Sequence, residues 1–458
     1  MAEAHTDSNG AGSGMTARDI FNGAFRQPKP RDKVIDIGVQ PAQVGKFSIT
    51  GVSRIRPGFL ADLLKPTFAA TTVKQLADEA REAGGKLKAL GIAKQVLVEV
   101  DEGEQGKLDV HFQCEDGSRF AVRTGVDVGG DEGTASVVGR LNNIWGGGES
   151  FEANYARGTK TAAAFRGVLS LPLAADPQRR FELSAYQANT DYRPYSSHDE
   201  LRRTLTAALR KQEGTEQHEL AYTLAWREVL GLGHAASPSL RALAGHSVKS
   251  GITYTFTHDD RDSQTVPTRG TLIKAVAEVA GLGGSAQMVK AQVELQTNQE
   301  LGSGYVLSVG AQAGALRTLA RGGQRSPSLP DRFFVGGAHS VRGFEYRGIG
   351  PRDAADSLGG DVFYAAGLSL LTPLPRVEVL RGHLWANAGQ CALLLNSPVA
   401  RPGELSRFLT SPSASIGFGL VYRHSMVRAE LSWCIPIAAT SSDRLNPGLQ
   451  FGLGFQFL

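Results

Sequence analysis

Nothing in this chain of 458 residues approaches the run of ~20 apolar positions that a membrane-crossing helix needs. That excludes a helical membrane protein but not a barrel, whose strands are apolar on one face only. Cysteine is scarce: Cys114, Cys391 and Cys434 make no disulfide framework and read as free thiols in structural positions. Net charge is only +4, too slight a bias to point to nucleic acid as a partner. The basic pairs Arg179-Arg180 and Arg202-Arg203 read as solvated loop or lumen charges. There is no Gly-x-Ser-x-Gly, no HExxH, no phosphate loop and no CxxC, and the ten histidines are scattered. No catalytic residue, metal site or cofactor is therefore expected. The start, MAEAHTDSNGAGSG, has Glu3 and Asp7 but no Lys or Arg before Arg18, so it fits neither a secretory signal nor an Arg-rich transit peptide. A cytosolically made protein is expected, with residues 1–44 a partly disordered extension.

Glycine, by contrast, is abundant, with 55 residues against the usual ~7%. Barrels use it for kinks, bulges and close strand approach. The last eleven residues, Gly448 to Leu458, put Phe451, Leu453, Phe455 and Phe457 at alternate positions, with Gln450, Gly452, Gly454 and Gln456 between them. A strand turns successive side chains to opposite faces, so one face is apolar and the other small or polar. Similar amphipathic segments of about ten residues fill the chain from Arg119 onward, from Gly133–Asn142 through Gly304–Leu316 to Val427–Ile437. With weaker segments near Phe120 and Leu205 they number about 16, and an even count of such strands fits a closed single-chain barrel.

Before Arg119 the pattern changes. Phe47–Val52 reads as a strand, Phe59–Lys65 as a short helix stopped by Pro66, and Thr72-x-x-Gln75 as a capping box that opens a second helix. Gly84-Gly85 inside that helix predicts a bend. Two alternating segments follow, around Val96–Val100 and Leu108–Cys114. The order strand–helix–helix–strand–strand makes a small α+β module over 45–118, leaving 119–458 for the barrel.

One connection is long, Arg317–Leu358, rich in Gly, Pro, Ser and Arg. Loops of this length without periodicity are usually functional or disordered. It holds Phe333-Phe334-Val335-Gly336-Gly337-Ala338-His339-Ser340-Val341-Arg342-Gly343-Phe344, then Gly348-Ile349-Gly350-Pro351-Arg352. Here the chain resembles the BamA-type family of barrel assembly factors, and most closely its mitochondrial branch, the channel subunits of the sorting and assembly machinery (SAM, or TOB). The hallmark is the tetrapeptide Val341, Arg342, Gly343 and Phe344. The strand carrying Gln450, Gly452, Phe455 and Phe457 resembles the C-terminal β-signal of mitochondrial outer-membrane barrels, and the α+β module matches the POTRA topology. The resemblance covers Gly45 to Leu458.

It implies a membrane all-β fold: a 16-stranded antiparallel transmembrane β-barrel with one N-terminal POTRA domain. A single POTRA domain favours the mitochondrial branch. The implied function is insertion of β-barrel precursor polypeptides into the outer membrane by strand templating at a seam between the first and last strands. A passive solute channel or a protein-exporting channel are the alternatives. Implied partners are the precursors, outer-membrane lipid and peripheral metaxin-like SAM subunits, with the POTRA domain in the intermembrane space. If the loop folds into the lumen, as the family implies, Arg342 pairs with an acid on the wall through its rigid guanidinium fork. On the penultimate strand Val427, Ala429, Leu431 and Trp433 share one face, so Glu430 points inward with Arg428 and Ser432 and ranks first as partner. Asp361 ranks second.

Overall fold

The computed structural model describes residues 40–129, 132–319, 326–377, 379–396, 403–423 and 428–454. The extension 1–39, Val427, Phe455 and Phe457 lie outside them. Strand β1 (Val44–Thr50), helices α1 (Pro57–Ala69) and α2 (Val73–Ala89), and strands β2 (Ala93–Glu102) and β3 (Leu108–Asp116) build the N-terminal domain. Its sheet runs β1-β3-β2, with β1 parallel and β2 antiparallel to β3. Leu76, Ala80, Ala83 and Leu87 of α2, at helical spacing, bury against Val110 and Phe112 of β3. The Thr72 hydroxyl caps the helix by accepting from the Gln75 N–H at 3.3 Å. Cys114 is a half-buried free thiol, and burial, with Asp116 beside it, pushes it above the usual range.

One sequence expectation fails here. Pro66 does not stop the first helix, which runs on to Ala69. Burial of Phe59, Leu63, Leu64 and Thr67 along one stripe offsets the hydrogen bond that the proline removes. Gly84 and Gly85 lie inside α2, which runs unbroken over Val73–Ala89. A Cβ at Gly84 would come within 3.2 Å of Val96 and Val98, so the glycine is a notch in which the helix lies on the sheet.

Sixteen antiparallel strands follow: β4 (Phe120–Gly129), β5 (Glu132–Asn142), β6 (Ser150–Gly158), β7 (Thr161–Leu173), β8 (Asp176–Asp191), β9 (Asp199–Glu213), β10 (Glu216–Leu230), β11 (Gly245–Asp259), β12 (Gly270–Gly284), β13 (Met288–Gly302), β14 (Tyr305–Thr318) and, after the long loop, β17 (Val362–Pro373), β18 (Leu380–Ala392), β19 (Ser413–Arg423), β20 (Arg428–Ala438) and β21 (Gly448–Gly454). The pairs β15 (Arg352–Asp353) and β16 (Asp356–Ser357) form a small ribbon inside the loop. Short helices α3 (Arg193–Ser196), α4 (Pro238–Leu243) and α5 (Glu404–Thr410) sit in connections. The outward face is apolar by alternation. On β20 Leu431, Trp433, Ile435 and Ile437 are exposed while Arg428, Glu430 and Ser432 are buried. Such a belt of exposed apolar side chains fits lipid, not water. No described helix is long and apolar enough to cross a membrane.

The strands are not uniform. β8 has 16 residues and β9 to β13 have 15 each, whereas β4, β5, β6, β19 and β20 have 9 to 11. Fifteen neighbour interfaces carry a hydrogen-bonded ladder. At the sixteenth, β4 and β21 approach within 8 Å between Cα atoms, but no rung joins them among the described residues.

Candidate functional site

The loop between β14 and β17 folds back against the inner wall. Its apolar residues Phe333, Val335, Val341, Phe344 and Ile349 pack with Leu316, Phe363 and Cys391 of the barrel. Bridges Phe333↔Gly360 and Val335↔Ile349 tie the loop to its own return, and Phe344↔Leu445 ties it to the β20–β21 connection. Gly336, Gly337 and Gly343 have φ of +112°, +107° and +83°, and at Gly336 a Cβ would lie 2.7 Å from the Glu345 carbonyl oxygen, so only glycine fits there. Val341 is fully buried in a dimple left by Gly389 of β18, where a Cβ would stand 2.8 Å from Val341 Cγ2.

Arg342 is 1% exposed. Its Nη2 and Nε reach Glu430 Oε2 at 2.8 and 3.3 Å, and its Nη1 donates to Asn387 Oδ1 at 2.9 Å. The guanidinium lies 5.2 Å from the Trp385 ring centroid, and the Ser415 hydroxyl donates to the Arg342 carbonyl. The expected fork-to-fork pairing with one carboxylate is not what forms. Arg428 takes the other oxygen of Glu430, so one carboxylate serves two guanidiniums and the rest of the Arg342 fork turns to Asn387. Asp361, the second candidate, lies elsewhere. It accepts from the Leu394 N–H at 2.7 Å and from the Asn396 N–H and Nδ2 at 2.8 and 2.9 Å, capping the connection after β18.

Gln450 of β21 joins the tetrapeptide to the closing strand. The Gly343 N–H donates to Gln450 Oε1 at 3.0 Å, and Gln450 Nε2 donates to the Phe344 carbonyl at 3.2 Å. The Asn446 N–H completes the stitch by donating to the Gly343 carbonyl at 2.9 Å. Gly452 and Gly454 stand opposite Glu430 and Arg428 in the ladder. Paired residues share a face, so Gly452 lies on the same side of the sheet as Glu430. The tetrapeptide thus touches β18, β19, β20 and β21 in succession.

A second attachment holds the loop's beginning to the opposite wall. Arg227 Nη1 of β10 meets Asp331 Oδ1 at 2.6 Å, both groups almost fully buried. Lys249 of β11 lies 3.5 Å from Asp331 and 2.7 Å from Glu278 of β12. Lys290 of β13 donates to the Asp331 carbonyl at 2.9 Å and lies 4.5 Å from the Phe333 ring centroid. Between the two ends, Arg347 lies 3.9 Å from both the Tyr192 and Phe334 ring centroids, and the ribbon's Asp356 accepts from the Ser237 N–H at 2.7 Å. Sequence reasoning missed Asp331, Arg227, Arg347, Asn387 and Ser415. Inward parity marks Arg227 and Asn387, but nothing local marks which loop residue each meets. Among the described residues no cluster fits a metal ion. The arrangement is a set of fasteners holding a loop between two walls.

Comparison with known proteins gives a consistent result. The model of the Omp85 superfamily domain matches residues 143–457. A SAM50-like protein of Schizosaccharomyces pombe is 34% identical over 439 residues, covering 91% of each chain. The human sorting and assembly machinery component 50 homolog is 31% identical over 448 residues, covering 95% of this chain and 94% of that one. Among solved structures, BamA from Haemophilus ducreyi lacking POTRA domains 1–3 superposes with a TM-score of 0.74 at 14% identity, covering 90% of this chain and 85% of that one. That last likeness is one of fold.

Proposed function

We propose, for a chain that belongs to the Omp85 superfamily and within it to the SAM50-type sorting and assembly proteins, that it inserts and folds β-barrel precursors in the mitochondrial outer membrane. The observation that carries this reading is the β4/β21 seam, the one neighbour interface without a described ladder. An unpaired strand edge presents N–H and C=O groups that an incoming strand satisfies by β-augmentation. The edge cannot stay bare in lipid, where nothing else satisfies those groups. A precursor strand pairing at the seam therefore gains hydrogen bonds without nucleotide or cofactor, and the nascent sheet grows hairpin by hairpin before it buds off. The tetrapeptide's role is to hold the seam wall in register, through Glu430 and Gln450, while β21 exchanges its outer neighbour. Metaxin-like SAM subunits on the cytosolic side and the N-terminal POTRA domain in the intermembrane space complete the proposed setting. A passive channel fits less well, because an apolar loop cluster occupies the lumen.

Cysteines at Val122 on β4, at Leu449 on β21 and, as control, at Leu220 on β10 test the reading. An arrested precursor with a cysteine in its last strand is expected to crosslink to the first two positions and not to Leu220. Equal crosslinking at all three, or none at the seam, rejects it.

A further inference from the structure

The pair Arg202-Arg203 splits across the wall instead of lying together in loop or lumen. Arg202 is half-buried and pairs with buried Glu200 at 2.7 Å, whereas Arg203, one position on, is exposed on the outer face. Cross-strand register sets Phe165, Gln187, Arg203 and Trp226 in one outward row of β7 to β10, and Gly167, Ala185, Leu205 and Leu224 in the next. The small residues of the second row leave a groove of about 430 Å³ between Phe165, Leu205 and Leu224. Arg203 Nε donates to Gln187 Oε1 at 3.1 Å, and the guanidinium lies 4.8 Å from the Trp226 ring centroid. Its two Nη groups have no protein acceptor among the described residues. The nearby outward carboxylate, Glu228, is one row away and 3.5 Å from His246, whose ring stacks on Trp226.

We infer that this outer face is a binding site for one anionic phospholipid, with its phosphate on Arg203 and an acyl chain in the groove below. An interfacial arginine ordinarily extends its head toward water. Arg203 is instead held back by Gln187 and Trp226 at the upper edge of the apolar rows, so the phosphate comes to the arginine. The free side of a guanidinium fork suits two phosphate oxygens, and Trp226 supplies the flat amphipathic surface found at membrane interfaces. The face sits on a lipid-exposed wall, so what covers its apolar rows is an acyl chain. The inference rests on the barrel and not on the insertase reading.

The test reconstitutes the full chain in phosphatidylcholine doped with phosphatidylinositol, extracts it mildly, and counts retained lipids by native mass spectrometry. Wild type is expected to hold one phosphatidylinositol in preference to phosphatidylcholine. Arg203→Gln is expected to weaken that retention about tenfold or more, the loss of a charged hydrogen bond. Gly167→Leu fills the groove, since a side chain there first meets only the Phe151 ring at 3.6 Å, and is expected to lose both lipids. Heat-modifiability on gels checks that each variant keeps its barrel, and Arg203→Met, which removes the charge and keeps a long stem, stands in as the neutral variant if Arg203→Gln does not fold. Four results overturn the proposal: no preference in wild type, full retention by the neutral or groove-filled variant, displacement of the lipid by inorganic phosphate alone, or a second copy of the chain on this face in place of lipid.

Discussion

The two walls of the barrel differ in build. On the wall from β8 to β13, strands of 15 or 16 residues meet through ladders such as the 15 rungs of β9 and β10. On the seam side β4, β6 and β20 have 10, 9 and 11 residues, and β20 meets β21 through 7 described rungs. At about 3.3 Å per residue and a tilt near 45°, fifteen residues rise ~35 Å and ten rise ~23 Å, against a hydrocarbon core of ~30 Å. The long wall spans the core with room to spare, while the short one leaves a mismatch that costs a fraction of a kcal/mol per ångström and falls at the seam. The loop is fastened to both walls, by Asp331 to the long one and by Arg342, Gly343 and Phe344 to the short one. Each wall can therefore be loosened separately.

The largest expected effect is on the short wall. Glu430→Gln leaves Arg342 and Arg428 buried together without a counter-charge, and breaking a buried pair in this way costs about 3–5 kcal/mol. Arg342→Ala should cost the barrel less, because Glu430 keeps Arg428. Arg342→Lys should fall between wild type and alanine, since it keeps a charge near Glu430 but loses the bond to Asn387 and the contact with Trp385. Urea unfolding of the three variants, with the Arg342/Glu430 double mutant to measure coupling, decides the order. If Arg342→Ala proves as costly as Glu430→Gln, the shared-carboxylate description is wrong.

Next comes the long wall. Asp331→Asn removes the carboxylate charge that Arg227 and Lys249 share, and a loss of about 3 kcal/mol is expected. It should detach the loop's beginning and leave seam crosslinking unchanged, because its partners stand on β10 to β13. A change at the seam would show that the two walls are not independent.

A smaller effect is expected at Gln450→Ala, which removes two hydrogen bonds to loop backbone, about 1–2 kcal/mol. Faster amide exchange at Gly343, with the Arg342–Glu430 pair intact, is the expected signature. Unchanged exchange would mean that Gln450 does not fasten the loop to β21.

The sequence carried the strands well, because a strand with lipid outside and a polar lumen inside must alternate; parity turned Glu430 inward, and the family resemblance supplied the loop that meets it. Strand ends were less legible: β14 runs on to Thr318 and does not stop at Leu316, because Arg317 and Thr318 still pair with β13 beyond the apolar belt. The sharing of Glu430 was hidden because parity put Arg428 on the inward face without showing which side chain it meets there. Asp331 and Arg227 lie 104 positions apart with no periodicity linking them, so that contact belongs to the folded barrel alone. Gln450 was visible as the polar residue of an apolar strand, but its loop partner 107 residues earlier was not.

The central claim is that the β4/β21 seam parts to receive a precursor strand. With Cys114, Cys391 and Cys434 replaced by serine or alanine, cysteine pairs placed between Val122 or Thr124 of β4 and Leu449 or Phe451 of β21 are to be oxidised in reconstituted membranes and insertion of a labelled barrel precursor measured. The locked protein is expected to stay folded in the membrane, stop inserting precursor, and regain insertion on reduction. Full insertion by the completely oxidised protein would contradict the claim.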